Sequence, residues 1–138
     1  MLMNISELQK QVETRIAKIG FPAHAIVLHT SPVGDGTPYI SFENGQYNYI
    51  FSERGFEFSR QVTASSDELL YWIIYDFVHA IAVDYELAHR IPGKDSRRIY
   101  FPKIVELMGK IDESWGVKAQ SHLDEILMNS PFEDSPYP

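Results

Sequence analysis

The chain contains no cysteine. That absence excludes a disulfide framework, thiolate zinc sites, iron–sulfur clusters and a cysteine nucleophile, and it fits a reducing compartment. Positive charge is also scarce: twelve Lys and Arg stand against nineteen Asp and Glu, for a formal net charge of −7. Nucleic-acid binders draw their affinity from cationic contacts to phosphate, so this balance argues against that class and suits a basic partner. Long hydrophobic runs are missing too. The longest apolar stretch, residues 69–83, is interrupted by Asp76 and His79. It falls short of the roughly 20 residues that a membrane span needs. The first residues lack the basic segment and apolar run of a secretion signal, so the expectation is a cytoplasmic protein with no membrane partner.

What is present is ordinary globular material: 138 residues, 44% hydrophobic and 22% charged, with aromatics at 13%. The length predicts a single domain over residues 1–138, with residues 129–138, which hold three prolines, as an extended tail. Leu8, Val12, Ile16 and Ile19 recur at helical spacing and predict a helix over residues 6–19, ended by Gly20. Residues 22–38 read as a loop with one short strand at 25–29. Asn44-Gly45 between alternating segments is a hairpin signature, because both residues accept the positive φ of a type I′ turn. Glu53-Arg54-Gly55 predicts a second reversal into a strand over 56–62, and Tyr47, Tyr49 and Phe51 share one face by period-two alternation.

The remainder reads as helical. Ser65 and Glu68 fit a capping box opening a helix that runs to about Arg90. Ile91-Pro92-Gly93 stops it. Asp95 can cap the next helix, in which Pro102 marks either a kink or the first turn. Asp112 can cap the last, whose apolar stripe is Trp115, Ala119, Leu123, Ile126 and Leu127. The predicted class is α+β: an N-terminal helix, a small antiparallel sheet of three to four strands, then three helices packed on it.

Chemical motifs are sparse. Asp76 and His79 are three residues apart on the long helix, and so are Glu86 and His89. Glu-x-x-His serves di-iron bundles, but both pairs lie on one helix, and seven residues set them roughly 10 Å apart along its axis. They cannot share one ion, and neither a metal nor a cofactor is expected. His79 reads as a hydrogen-bonded core residue and His89 as a surface one. Gly34-Asp35-Gly36 lacks the third glycine and the following helix of a phosphate loop. No nucleophile elbow is present. Asn4-Ile5-Ser6 matches a glycosylation sequon, which carries no meaning in a cytoplasmic chain. A small hydrolase using the carboxylate–histidine pairs of the long helix remains the rival to a binding role, and a general adaptor is a third reading.

Two charged clusters stand out. Asp84, Glu86, Arg90, Arg97 and Arg98 flank the Ile91-Pro92-Gly93 break and predict a structural ion network in which at least one of Arg97 and Arg98 pairs with Asp84 or Glu86. Residues 111–138 hold six acids (Asp112, Glu113, Asp124, Glu125, Glu133 and Asp134) against Lys118 alone, a net of −5 out of the chain's −7. This acidic stretch is the candidate partner-binding surface.

An ordered set of residues resembles a known family. It runs from Asp67-Glu68-Leu69-Leu70-Tyr71-Trp72 through Asp84-Tyr85-Glu86-Leu87 and His89-Arg90. Asp95, Arg97-Arg98, Phe101, Glu106-Leu107, Trp115, Ile126-Leu127 and Pro131-Phe132-Glu133-Asp134 follow. With Ile19-Gly20 and the 47–55 strand region upstream, this pattern is similar to the immunity protein 63 family of bacterial polymorphic toxin systems. The resemblance implies a protein that neutralises a cognate toxin by stoichiometric binding, without catalysis. A basic nuclease is one toxin that would suit the acidic surface.

Overall fold

The structure is a computed structural model and describes residues 2–135. An N-terminal helix, a three-stranded antiparallel sheet and three further helices follow in chain order, an α+β arrangement. The residues form two compact units that divide between Ile73 and Ile74, inside a continuous helix.

In the first unit, α1 spans Ile5–Ala17 and buries Leu8, Val12 and Ile16, the i, i+4, i+8 positions of one face. Its start is a reciprocal capping box. The Glu7 N–H donates to Asn4 Oδ1 at 2.9 Å, and the Asn4 N–H donates to Glu7 Oε1 at 3.2 Å. The Asn4-Ile5-Ser6-Glu7 run, set aside as a meaningless sequon, is therefore a helix start. β1 (Tyr39–Glu43), β2 (Gln46–Glu53) and β3 (Phe56–Thr63) pair in the order β1-β2-β3. Asn44 and Gly45 take φ of 54° and 73°, as the tight turn requires. Tyr47 and Tyr49 are buried and Phe51 is half-buried. The Tyr47 hydroxyl donates to the Met3 carbonyl at 2.7 Å.

The sheet has three strands, and the short strand expected at 25–29 is replaced by a 3-10 turn at Ala23–Ala25 and irregular backbone. The reason is Gln9 of α1. Its amide donates to the Ile26 carbonyl at 2.8 Å and accepts from the Leu28 N–H at 2.9 Å, taking groups that a ladder would have used. One bond, from the Ile40 N–H to the His29 carbonyl, ties this segment to β1.

The long helix α2 covers Ser66–Ala88. Half of the expected capping box forms: the Glu68 N–H donates to Ser65 Oγ at 3.1 Å, while the Ser65 N–H goes to Thr63 Oγ1. In the second unit, α3 (Arg97–Ile111) begins five residues before Pro102, so Pro102 lies inside the helix and does not start it. α4 (Glu113–Asn129) is capped by Asp112, which accepts from the Ser114 N–H at 2.8 Å. The two helices cross at Gly109 and Gly116. A Cβ on Gly116 would stand 2.8 Å from the Gly109 Cα, so only glycine permits this approach. Among the described residues, no helix is long and apolar enough to cross a membrane.

Candidate functional site

The second unit carries most of the charged residues singled out above, and it sorts them into three groups. Just past the end of α2, Arg90 reaches back to Glu86 of the helix with two bonds, Nη2 to Oε1 at 2.9 Å and Nε to Oε2 at 3.1 Å. The Glu86 side chain is buried, and the guanidinium holds its carboxyl below the usual range.

At the start of α3, Asp95 is the centre of a second group. Its carboxylate accepts from the Arg97 guanidinium at 2.7 Å, the Arg97 N–H at 2.9 Å and the Glu133 N–H at 2.9 Å. The Arg97 hydrogen bonds come first among the causes that push its pKa well below the ordinary carboxylate range. Arg97 also donates to the Ser130 and Pro131 carbonyls. Arg98 donates to Asp134 at 2.9 Å, and its guanidinium carbon stands 4.2 Å from the Phe132 ring centroid. Asp134 accepts in addition from the Asp95 N–H at 2.8 Å, and Lys94 lies 3.8 Å away. The Ser135 N–H donates to the Gly93 carbonyl. Residues 130–135 are thus a strap bound to the corner between α2 and α3.

This geometry corrects the expected ion network. Arg97 and Arg98 pair with Asp95 and Asp134, and neither pairs with Asp84 or Glu86. Arg90, one helical turn away, already fills the Glu86 fork, and Asp95 lies two residues from Arg97. Asp84 is exposed and joins neither arginine.

The third group is the outer side of α4. Glu113, Asp124 and Glu125 are exposed there, and Val117 and Met128 stand among them 65% and 82% exposed. Asp124 accepts from the Gln120 amide at 2.8 Å. Of the six acids grouped by sequence, Asp112 caps α4 and Asp134 is held by the strap contacts. Glu133 is exposed, with its backbone N–H given to Asp95. Val117 and Met128 were not singled out from the sequence, although both fall off the apolar stripe of α4 and are readable as outward-facing for that reason.

The histidine pairs are dispersed. His79 is exposed, against the expectation of a core residue, because its position on α2 places it beside the Tyr75 and Tyr100 rings at the helix surface. His89 stacks on Tyr85, with Nδ1 2.8 Å from the Tyr85 carbonyl, while Glu86 faces Arg90. Among the described residues, no group of three or more His, Cys, Asp or Glu could hold a metal ion. A cleft of about 520 Å³ in the first unit runs past Met3, Leu8, Ile40, Phe42 and Tyr47, with no carboxylate, histidine or lysine in its lining.

A family model described as Immunity protein 63 matches residues 43–125, more than half of the chain. The chain belongs to the immunity protein 63 family. Neither the curated proteins nor the solved structures contain a match. The immunity-protein segment runs from the end of β1 into the last turns of α4. It contains Glu113, Asp124 and Glu125 together with Asp95, Arg97 and Arg98, whereas α1 and the strap residues Phe132 and Asp134 lie outside it.

Proposed function

We propose that this chain acts as one immunity-type domain that neutralises a cognate bacterial toxin in the cytoplasm by direct stoichiometric binding, without catalysis. Membership of the immunity protein 63 family is the observation that carries the reading. The outer side of α4 supports a location for the contact. Glu113, Asp124 and Glu125 share the exposed side of α4 with Val117 and Met128, so acidic groups and solvent-facing apolar side chains are interspersed along it, a mixture that suits protein recognition. A basic toxin domain, a nuclease among the candidates, is the partner that this charge would steer toward the surface.

The test is a titration of the protein encoded beside this chain's gene. Its toxic activity should fall linearly with added chain and reach zero at equivalence, independent of incubation time. Loss of toxicity at a small fraction of an equivalent, growing with time, would mean that the chain acts catalytically and would sink the stoichiometric reading.

A further inference from the structure

The most unusual surface on the molecule is β3. It is an edge strand of eight residues, and only Thr63 is buried. Phe56 and Phe58 stand 69% and 55% exposed. Phe58 is the outermost ring of an aromatic row that continues inward through Phe51 at 6.2 Å and Tyr49 at 5.1 Å from one another. A long edge with open backbone donors and acceptors and exposed phenylalanines is a template for pairing with another strand. The opposite edge of the sheet differs, since the Ile40 N–H of β1 already donates to His29.

The charges on β3 say which strand fits. The register passes from Phe51 opposite Ser59 to Ser52 opposite Glu57, so Phe58 is the extra residue of a bulge. The bulge breaks the alternation and puts Glu57 and Arg60 on one face, where they form an ion pair at 2.6 Å. Consider an antiparallel copy of β3 related by a two-fold axis normal to the sheet, between Phe58 and Ser59. Glu57 of each copy then faces Arg60 of the other, and Phe58 of each faces Ser59. No other two-fold register sets Glu57 of one copy against Arg60 of the other, so the charges specify a single pairing of this strand with itself. We infer that β3 is the interface of a homodimer, in which two three-stranded sheets join edge to edge as one six-stranded sheet. A strand-to-strand contact buries less than the roughly 1,600 Å² of a standard interface, so the dimer is expected to form in the micromolar range.

The test is sedimentation of the full chain over a range of concentrations. Wild type should show a monomer–dimer equilibrium. Glu57→Arg and Arg60→Glu should each weaken it about tenfold or more, because the two-fold axis makes one substitution spoil two contacts. Each reversal also sets like charges together within its own strand, but both positions are exposed, so the loss of thermal stability should be small and the same for the two variants. Mixing the two variants should restore association, since arginines at 57 and 60 then face glutamates at 60 and 57. A wild type that stays monomeric throughout would overturn the inference. So would a dimer indifferent to both reversals, or a β3 protected from hydrogen exchange only when the toxin is bound. Neutralisation stands or falls separately, by the titration above.

Discussion

Asp134 and Asp124 are the same side chain in the same acidic stretch, yet they serve different ends. Asp134 meets Arg98, Lys94 and a backbone N–H, and the guanidinium of Arg98 leads the causes that lower its pKa. Asp124 meets one amide, that of Gln120, on its own helix. The first helps to close the strap on the α2–α3 corner, while the second leaves its charge facing water beside Val117 and Met128. Net charge counts the two alike. Only the surrounding donors separate a carboxylate that holds structure from one that is open to a partner.

The sharpest way to break this contrast is Asp95→Ala. It removes the common acceptor of the Arg97 fork, the Arg97 N–H and the Glu133 N–H. We expect a loss of about 2–4 kcal/mol in chemical denaturation, together with rapid proteolysis near Phe132. Intact protection of that segment would show that the strap does not depend on Asp95.

Gly116→Ala comes next. The new Cβ would lie 2.8 Å from backbone, so α4 must move away from α3. About 1–3 kcal/mol should be lost, with toxin capture weakened if the α4 face needs its present setting. Wild-type stability would mean that the helices separate at no cost.

Acidification should separate the two regions without mutation. The pKa values of Asp95 and Asp134 are lower in the folded chain than in the unfolded one, and Asp95 is the stronger case. Their contribution is complete above the ordinary carboxylate pKa of about 4 and is lost as pH falls through the folded values. The Ser135 amide, which donates to Gly93, should lose its exchange protection over that window. Protection that persists below both values would remove the carboxylates from the account of the strap.

The smallest structural effect is expected from Asp124→Lys combined with Glu125→Lys. Stability should change by no more than about 0.5 kcal/mol, because both are exposed. Association with the toxin should slow, most at low ionic strength. Equal rates at two salt concentrations would move the capture face away from α4.

Several elements could be read directly from neighbours in the chain. The spacing of Leu8, Val12 and Ile16, the Asn44-Gly45 turn and the Asp112 cap depend on residues within one or two turns, and each formed where expected. The α4 acids were also visible in the sequence. The sorting among them was not, because it turns on which arginine reaches which carboxylate.

Local pattern therefore decided the order of elements, the α+β class and the hairpins of this chain, since helix spacing, caps and tight turns are short-range requirements of the backbone. Folding decided the competitions between equivalent groups. Gln9 took the backbone of a would-be strand from 17 residues away, Arg98 chose Asp134 across 36 residues, and Asp95 drew in the Glu133 N–H across 38. In each case the sequence offers several chemically adequate partners. The choice falls to whichever donor and acceptor the packed backbone brings within about 3 Å, because a hydrogen bond loses its strength within a fraction of an ångström beyond that.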